Sequence, residues 1–187
     1  MPALDYWNQY AKDHLIWYNG EMVKFIRDLV ASLRAQSVLE IGCSAGNDLK
    51  LFPDHITVSG IDTSDVAITL ARESLPNFDF KLGNITSIPY ENDSMDLVFT
   101  RNLFNHLDDQ DIKKATDELF RVSKKYIFNI ELFSESEERI SGNPTTHYRN
   151  MRKHWMNHPV KIISDVDMHE EIDPKKSRFT LIRKSEV

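Results

Sequence analysis

Residues 37–47 read Ser-Val-Leu-Glu-Ile-Gly-Cys-Ser-Ala-Gly-Asn, and this stretch decides the fold that the sequence predicts. The apolar residues within 38–41 are typical of a buried strand, and Gly42 and Gly46 predict a tight turn after it. We expect a helix to follow from about residue 48. A strand, a glycine turn and a helix together expose backbone N–H groups, which often bind a nucleotide-like ligand.

The turn does not have the glycine spacing of NAD-binding folds. Starting from Gly42, the pattern G-x-G-x-x-G would require glycine at Ser44 and Asn47. The pattern present is E-x-G-x-x-x-G, which begins at Glu40. Asp62 ends the next predicted strand, 22 residues after Glu40. That spacing is close to the ~20-residue offset of a carboxylate that binds ribose hydroxyls, and a carboxylate can accept two hydrogen bonds from a diol.

Four ordered segments resemble the class I methyltransferases that use S-adenosylmethionine. They are the glycine turn, the strand that ends at Asp62, residues 78–84 and residues 94–107, and the resemblance covers about residues 37–130. Ser44 departs from the family at a position where many members have glycine, and Asn84 stands where aspartate is commoner. The resemblance implies a doubly wound, mostly parallel seven-stranded α/β sheet with helices on both faces, whose last strand inserts antiparallel.

The resemblance also implies a set of cofactor-binding residues. Glu40 would meet the methionine end, Asp62 the ribose and the side-chain carbonyl of Asn84 the adenine amino group. The aromatic residues before the first strand, which include Trp17, would close over the cofactor as a lid. The full cofactor set is Trp7, Tyr10, Glu40, Gly42, Cys43, Ser44, Gly46, Asp62, Thr63, Asn84, Ile85 and Arg101.

Candidate catalytic and substrate-binding residues lie in two later segments. His106 follows the fourth strand and could act as a base or orient the acceptor, and Tyr148 lies in a basic, aromatic segment at 145–155. Arginines in a cleft favour carboxylate or phosphate. The competing interpretation is a solvated helix face. The predicted substrate-binding residues are Tyr18, Asn102, His147, Arg149 and Arg152.

Composition restricts the function classes. The chain has 187 residues, a net charge of −6 and one cysteine, Cys43, which excludes an internal disulfide. A dedicated nucleic-acid binder would show a clustered basic face, so we do not expect nucleic acid as a partner. No apolar run approaches the ~20 residues of a membrane span, and the first residues do not resemble a signal peptide. We expect a cytoplasmic enzyme, monomeric or homodimeric, with no metal.

Hydrophobic periodicity predicts one domain, comprising an N-terminal lid and helix (1–35), a cofactor-binding core (36–132) and a substrate-side segment with the final strands (133–187). The predicted helices are 21–34, a short one at 47–52, 65–75 capped by Thr63 or Ser64, and 110–123. The predicted strands are 37–42, 56–61, 78–82, 96–101, 125–132, 160–164 and 178–183.

The function predicted from these observations is methyl transfer from S-adenosylmethionine to a small polar metabolite, by in-line displacement at the sulfonium methyl. Two alternatives remain open at this point. One is a protein or RNA methyltransferase, although Thr100-Arg-Asn-Leu-Phe104 does not match the Asn-Pro-Pro-Tyr motif of amino-group methylation. The other is a binding module that keeps the cofactor pocket without catalysis.

Overall fold

The structure, a computed structural model, describes residues 4–15, 18–143 and 145–185; Trp17 lies outside the described residues. Within these ranges the chain forms five α-helices, two single 3-10 turns (Asn47–Leu49 and Phe104–His106) and seven strands. The helices are α1 Leu4–Asp13, α2 Gly20–Ser32, α3 Asp65–Ser74, α4 Asp109–Val122 and α5 Met151–Trp155. The strands are β1 Ser37–Ile41, β2 Thr57–Asp62, β3 Asp79–Leu82, β4 Met95–Arg101, β5 Ser123–Glu131, β6 Val160–Asp167 and β7 Arg178–Lys184.

The seven strands form one sheet in the order β3-β2-β1-β4-β5-β7-β6. Strands β1 to β5 are parallel, and β7 lies antiparallel between β5 and β6. This arrangement confirms the predicted fold class, including the antiparallel last strand. Because the strand order reverses between β1 and β4, the loops that follow them diverge and leave a cleft at the carboxyl edge of the sheet.

Both faces of the sheet are covered, which explains why β1 is apolar on both sides. Val38 belongs to a buried cluster with Ile26 of α2, whereas Leu39 belongs to a second cluster with Leu119 of α4. Alternate residues of a strand point to opposite faces, so a strand between two helical layers must be apolar throughout. Glu40 is the charged residue within β1, and it is buried.

Two local predictions differ from the structure, and the choice of helix cap that the sequence left open between Thr63 and Ser64 is decided. The short helix predicted at 47–52 is only the 3-10 turn Asn47–Leu49, because it follows Gly46 in a left-handed conformation and Pro53 stops it. Strand β6 runs to Asp167, three residues beyond its predicted end. Helix α3 is capped by Ser64, whose Oγ accepts from Ala67 N at 3.0 Å. None of the described helices is long and apolar enough to cross a bilayer.

Candidate active site

A cavity of about 460 Å³ opens at the carboxyl edge of the sheet, beside the reversal of strand order. Its walls come from the loops after β1, β2, β3 and β4, from helix α1, and from residues between β5 and β7. This volume lies within the usual range for a small-molecule or cofactor site.

The glycine turn after β1 forms the floor of this cavity. Gly42 and Gly46 have φ angles of 77° and 75°, and a Cβ on Gly42 would lie 3.1 Å from a methyl of Leu103. Ser44 also has positive φ, 47°, and its N–H donates to Asp62 Oδ2 at 2.9 Å. Gly46 does not line the cavity, so the structure gives it a conformational role. The following 3-10 turn is too short to supply the helix N-terminus that we expected.

Asp62 lies at the end of β2 with its carboxylate at the cavity wall. Its two oxygens each accept one backbone N–H at 2.9 Å, from Ser44 and from Ser64. A carboxylate oxygen can accept two hydrogen bonds, so each retains capacity for a ligand hydroxyl. Burial raises the pKa of Asp62, and the backbone donors act in the opposite direction. This geometry fits the two hydroxyls of a ribose.

Glu40 supplies a second carboxylate, which is deeply buried. Only 3% of the residue is exposed, and within the described residues its Oε2 has no hydrogen-bond partner. Burial and the neighbouring carboxylate of Asp48 raise the pKa of Glu40. An unpartnered buried oxygen at a cavity wall fits the ammonium of a bound amino acid, because that group would satisfy it.

Arg101 and Asp48 form a buried ion pair beside Glu40. The Arg101 Nε donates to Asp48 Oδ2, and its second contact, from Nη2 to Oδ1, is 3.0 Å long. This bidentate pairing means that Asp48 already engages the guanidinium that we expected to contact the cofactor directly. Asp48 was missed by the sequence analysis, although its place directly after the glycine turn could have suggested it.

Asn84 and Ile85 follow β3 at the far wall of the cavity. The Asn84 carbonyl accepts from both the N–H and the hydroxyl of Thr86, at 2.9 and 3.1 Å. That turn already engages the side-chain carbonyl that we assigned to adenine, but Asn84 lines the cavity and its contact with the cofactor stays a prediction. Ile85 is buried and offers an apolar surface to a planar base.

Helix α1 covers the cavity from above, as a lid would. Trp7, Tyr10 and Tyr18 all line it, as do Cys43 and Thr63 below. Ser64 Oγ donates to Asn8 Oδ1 at 2.6 Å, which fixes α1 to the start of α3. The ring of Trp7 meets His106 edge-on, with 4.9 Å between ring centroids.

The loop after β4 forms the opposite wall. Asn102 has a φ of 52°, and within the described residues its buried Oδ1 has no partner. His106 contacts Thr146, whose Oγ1 lies 3.4 Å from Nδ1. Burial, and to a lesser extent the charge of Lys175, lower the pKa of His106 to about 4. The imidazole is therefore neutral at pH 7.

Four predicted residues of the 145–155 segment are not in the cavity. Arg149 is 2% exposed, and its guanidinium donates to the carbonyls of Phe104 and Leu107 and to Asp109. Arg152 points outward from α5 with 59% of its side chain exposed.

His147 and Tyr148 also lie outside the cavity lining. His147 accepts from Arg139 Nε at 3.2 Å and lines a separate hollow, and neither described cavity includes Tyr148. We therefore withdraw Tyr148 as a catalytic residue and His147, Arg149 and Arg152 as substrate contacts.

Two residues that sequence analysis missed hold the loop after β4 in place. Glu131, fully buried at the end of β5, accepts from Thr100 Oγ1 at 2.9 Å and from the N–H of Leu103 at 3.3 Å. Burial raises the pKa of Glu131 to about 7. The Asn105 side chain donates to the carbonyls of Leu132 and His147. The sequence signal for Glu131 was available, because it is an acid at the end of a predicted buried strand.

Comparison with known proteins agrees with this geometry. The family model described as a methyltransferase domain matches residues 38–126. Trans-aconitate 2-methyltransferase of Rhizobium rhizogenes is 31% identical over 112 residues, which are 50% of this chain and 43% of that protein. The chain spans about two fifths to half of the length of the first curated relatives it matches.

Solved structures show the same fold. A methyltransferase from Methanosarcina mazei has a TM-score of 0.65 at 18% identity, covering 79% of this chain and 92% of that one. Magnesium protoporphyrin IX methyltransferase from Synechocystis PCC 6803, solved with bound S-adenosylmethionine, has a TM-score of 0.67 at 13% identity, with 88% and 80% covered. Residues 38–126 thus match the methyltransferase-domain family in sequence, and the sheet has the fold of solved S-adenosylmethionine-dependent methyltransferases.

Proposed function

We propose that this domain transfers the methyl group of S-adenosylmethionine to a small polar metabolite. The observation that carries the proposal is one cavity in which Asp62 and Glu40 present carboxylate oxygens with accepting capacity, beside a wall of different chemistry formed by His106, Asn102 and Thr146. The carboxylate of Asp62 suits the ribose of the cofactor, and the carboxylate of Glu40 suits its ammonium. The second wall suits an acceptor.

The residues of the chain would act by binding, orientation and exclusion of water. When bound, S-adenosylmethionine supplies a methyl group that its positively charged sulfonium makes electrophilic. Asp62 and Glu40 would fix the two ends of the cofactor, and Trp7 and Tyr10 would cover it. Alignment of an acceptor against a held methyl group, in a site that excludes water, supplies most of the acceleration.

The size of the cavity favours a small acceptor. The described walls border it with α1 on one side and with Ile140, Asn143 and Thr146 on the other. Two curated relatives are named for small-molecule acceptors, trans-aconitate and demethylmenaquinone. A protein or RNA acceptor would need an open, positively charged approach, and the net charge of −6 opposes that.

The test has a binding arm and a turnover arm. Calorimetry should show S-adenosylmethionine and S-adenosylhomocysteine binding, with NAD at least ~100-fold weaker. Incubation with methyl-labelled S-adenosylmethionine and a low-molecular-weight metabolite fraction should give a labelled small product. Binding without any turnover would support the non-catalytic module instead. Label that appears only in protein or RNA would support the macromolecular alternative.

A further inference from the structure

The cavity has two halves with opposite charge, and the acceptor half is the one that lacks acidic groups. Among the described residues that line it, the carboxylates are Glu40, Asp48 and Asp62, which lie within β1, just after β1 and at the end of β2. The loops after β4, β5 and β6 contribute no carboxylate to the lining. They contribute amides, a hydroxyl, apolar side chains, one neutral histidine and one lysine.

That lysine, Lys175, lies in the loop between β6 and β7. Because β6 is parallel to β5, this loop emerges at the carboxyl edge of the sheet and reaches the cavity. Hydrogen bonds hold the conformation of this loop, because the Asp173 carboxylate accepts from the N–H groups of Lys175 and Ser177 at 3.2 and 3.1 Å. Asn19 Nδ2 donates to the carbonyl of Ile172 at 2.7 Å and joins the loop to the start of α2.

Lys175 differs from the other strong cation at the cavity wall. Arg101 is neutralised by its bidentate pair with Asp48. The ammonium of Lys175 makes no ion pair within the described part of the chain, and its charge reaches His106. An unneutralised cation at the wall of an acceptor pocket attracts an anion, and it repels a protonated amine.

The acceptor half also lacks an effective base. His106 is the only described imidazole on that wall of the cavity, and burial with the nearby Lys175 charge weakens it as a proton acceptor. A hydroxyl, thiol or ammonium acceptor would have to lose a proton there. A carboxylate arrives without one at neutral pH.

We propose that the acceptor is a small carboxylate, held by Lys175 and methylated on oxygen. This inference rests on the proposed function and specifies its substrate class. The bond from sulfonium sulfur to the methyl carbon breaks, and its electron pair stays on sulfur. A carboxylate oxygen supplies the pair for the new C–O bond, so the products are a methyl ester and S-adenosylhomocysteine, and no proton is released.

The charges make this reaction suited to a site that excludes water. A sulfonium cation and a carboxylate anion become two neutral groups, so the transition state carries less charge separation than the reactants. Such a reaction is favoured when low-polarity walls replace water, which the apolar lining from Leu107, Leu132 and Ile140 provides. Lys175 would orient the second carboxylate oxygen, or another anionic group of the same molecule.

The chemistry of the product tests the inference directly. The enzyme is incubated with methyl-tritiated S-adenosylmethionine and a low-molecular-weight metabolite fraction, and the products are separated from the cofactor. Mild alkali then releases volatile labelled methanol from a methyl ester, whereas N-, S- and ether-linked methyl groups retain the label. Volatile label is the expected result. An alkali-stable product would overturn the carboxylate inference and leave the proposed function standing, and no labelled product would overturn both.

A matched pair of variants tests the role of Lys175. K175Q should lower ester formation at limiting acceptor by roughly 10- to 100-fold, with unchanged affinity for S-adenosylhomocysteine, and K175R should restore most of it. The control is K176Q, which removes the same charge from a neighbouring lysine that pairs with Glu170 at 2.8 Å and does not line the cavity. Equal rates for K175Q and K176Q would overturn the assignment of Lys175.

Discussion

The two halves of the cavity are built in different ways. The cofactor half comes from short turns directly after β1 and β2, where neighbouring backbone N–H groups hold Asp62. The acceptor half is assembled from loops distant in sequence, and its hydrogen bonds join residues 26 to 45 positions apart, from Glu131 to Asn105 and from Arg149 to Phe104. One half therefore depends on local conformation, and the other depends on the long-range support of a few buried polar side chains.

The largest expected effect comes from removing the bulkiest of these buried side chains, Arg149. Arg149→Ala leaves the buried carbonyls of Phe104 and Leu107 without donors and creates a cavity. We expect the free energy of unfolding to fall by roughly 3–5 kcal/mol. Arg152→Ala, on the exposed face of α5, should change it by less than about 0.5 kcal/mol. Urea unfolding measures both. A stable Arg149→Ala protein with only a raised Michaelis constant would restore Arg149 as a substrate contact.

The second effect is a pH dependence of stability from Glu131. Burial raises the pKa of Glu131 to about 7 in the folded state from an ordinary 4.5, so folding favours its protonated form. The contribution of Glu131 to the free energy of unfolding is therefore fully present below pH 4.5 and is lost as the pH rises through 7. Glu131→Gln should remove this slope, a difference of up to about 3 kcal/mol across the interval. Urea unfolding of the wild type and of Glu131→Gln at several pH values measures this difference. If the free energies of unfolding of the two proteins change with pH in the same way, the prediction is wrong.

The third effect is confined to the cofactor half. Asp62→Ala removes the acceptor that we assign to the ribose hydroxyls and should weaken S-adenosylmethionine binding by about 2–4 kcal/mol. Asp65→Ala, an exposed acid three residues further along the chain, is the control and should bind normally. Calorimetry reports the affinity, and thermal unfolding verifies that the Asp62 variant is folded. Unchanged affinity would exclude Asp62 from the site.

The smallest effect concerns helix α1, the lid that covers the cavity. Trp7→Ala removes an aromatic face from the cavity wall and a ring contact with His106. We expect a loss of cofactor affinity of about 1 kcal/mol, within the range of a cation–π contact. Leu4→Ala, exposed on the same helix, should have no effect. Hydrogen exchange over residues 4–15 should slow when cofactor binds, and equal exchange would show α1 to be a fixed wall.

The same contrast explains which features could be predicted from the sequence. The fold, the glycine turn and the place of Asp62 follow from strand periodicity and from residues adjacent in the chain. The roles of Arg149 and Arg152 could not be predicted, because one guanidinium turns inward to backbone carbonyls 42 and 45 residues away and the other turns outward. Lys175 was missed for a related reason, since only the position of β7 brings its loop to the cavity.

The order of the strands also has a consequence for how the chain folds. Strand β6 reaches the sheet only through β7, which follows it in sequence, so β6 has no partner until β7 is in place. Pairing β5 with β7 closes a loop from Glu131 to Arg178, a long separation that makes it slow relative to the local pairing of β1 with β2. We therefore expect the cofactor half to assemble first and the loop that carries Lys175 to be among the last parts of the site to form during folding.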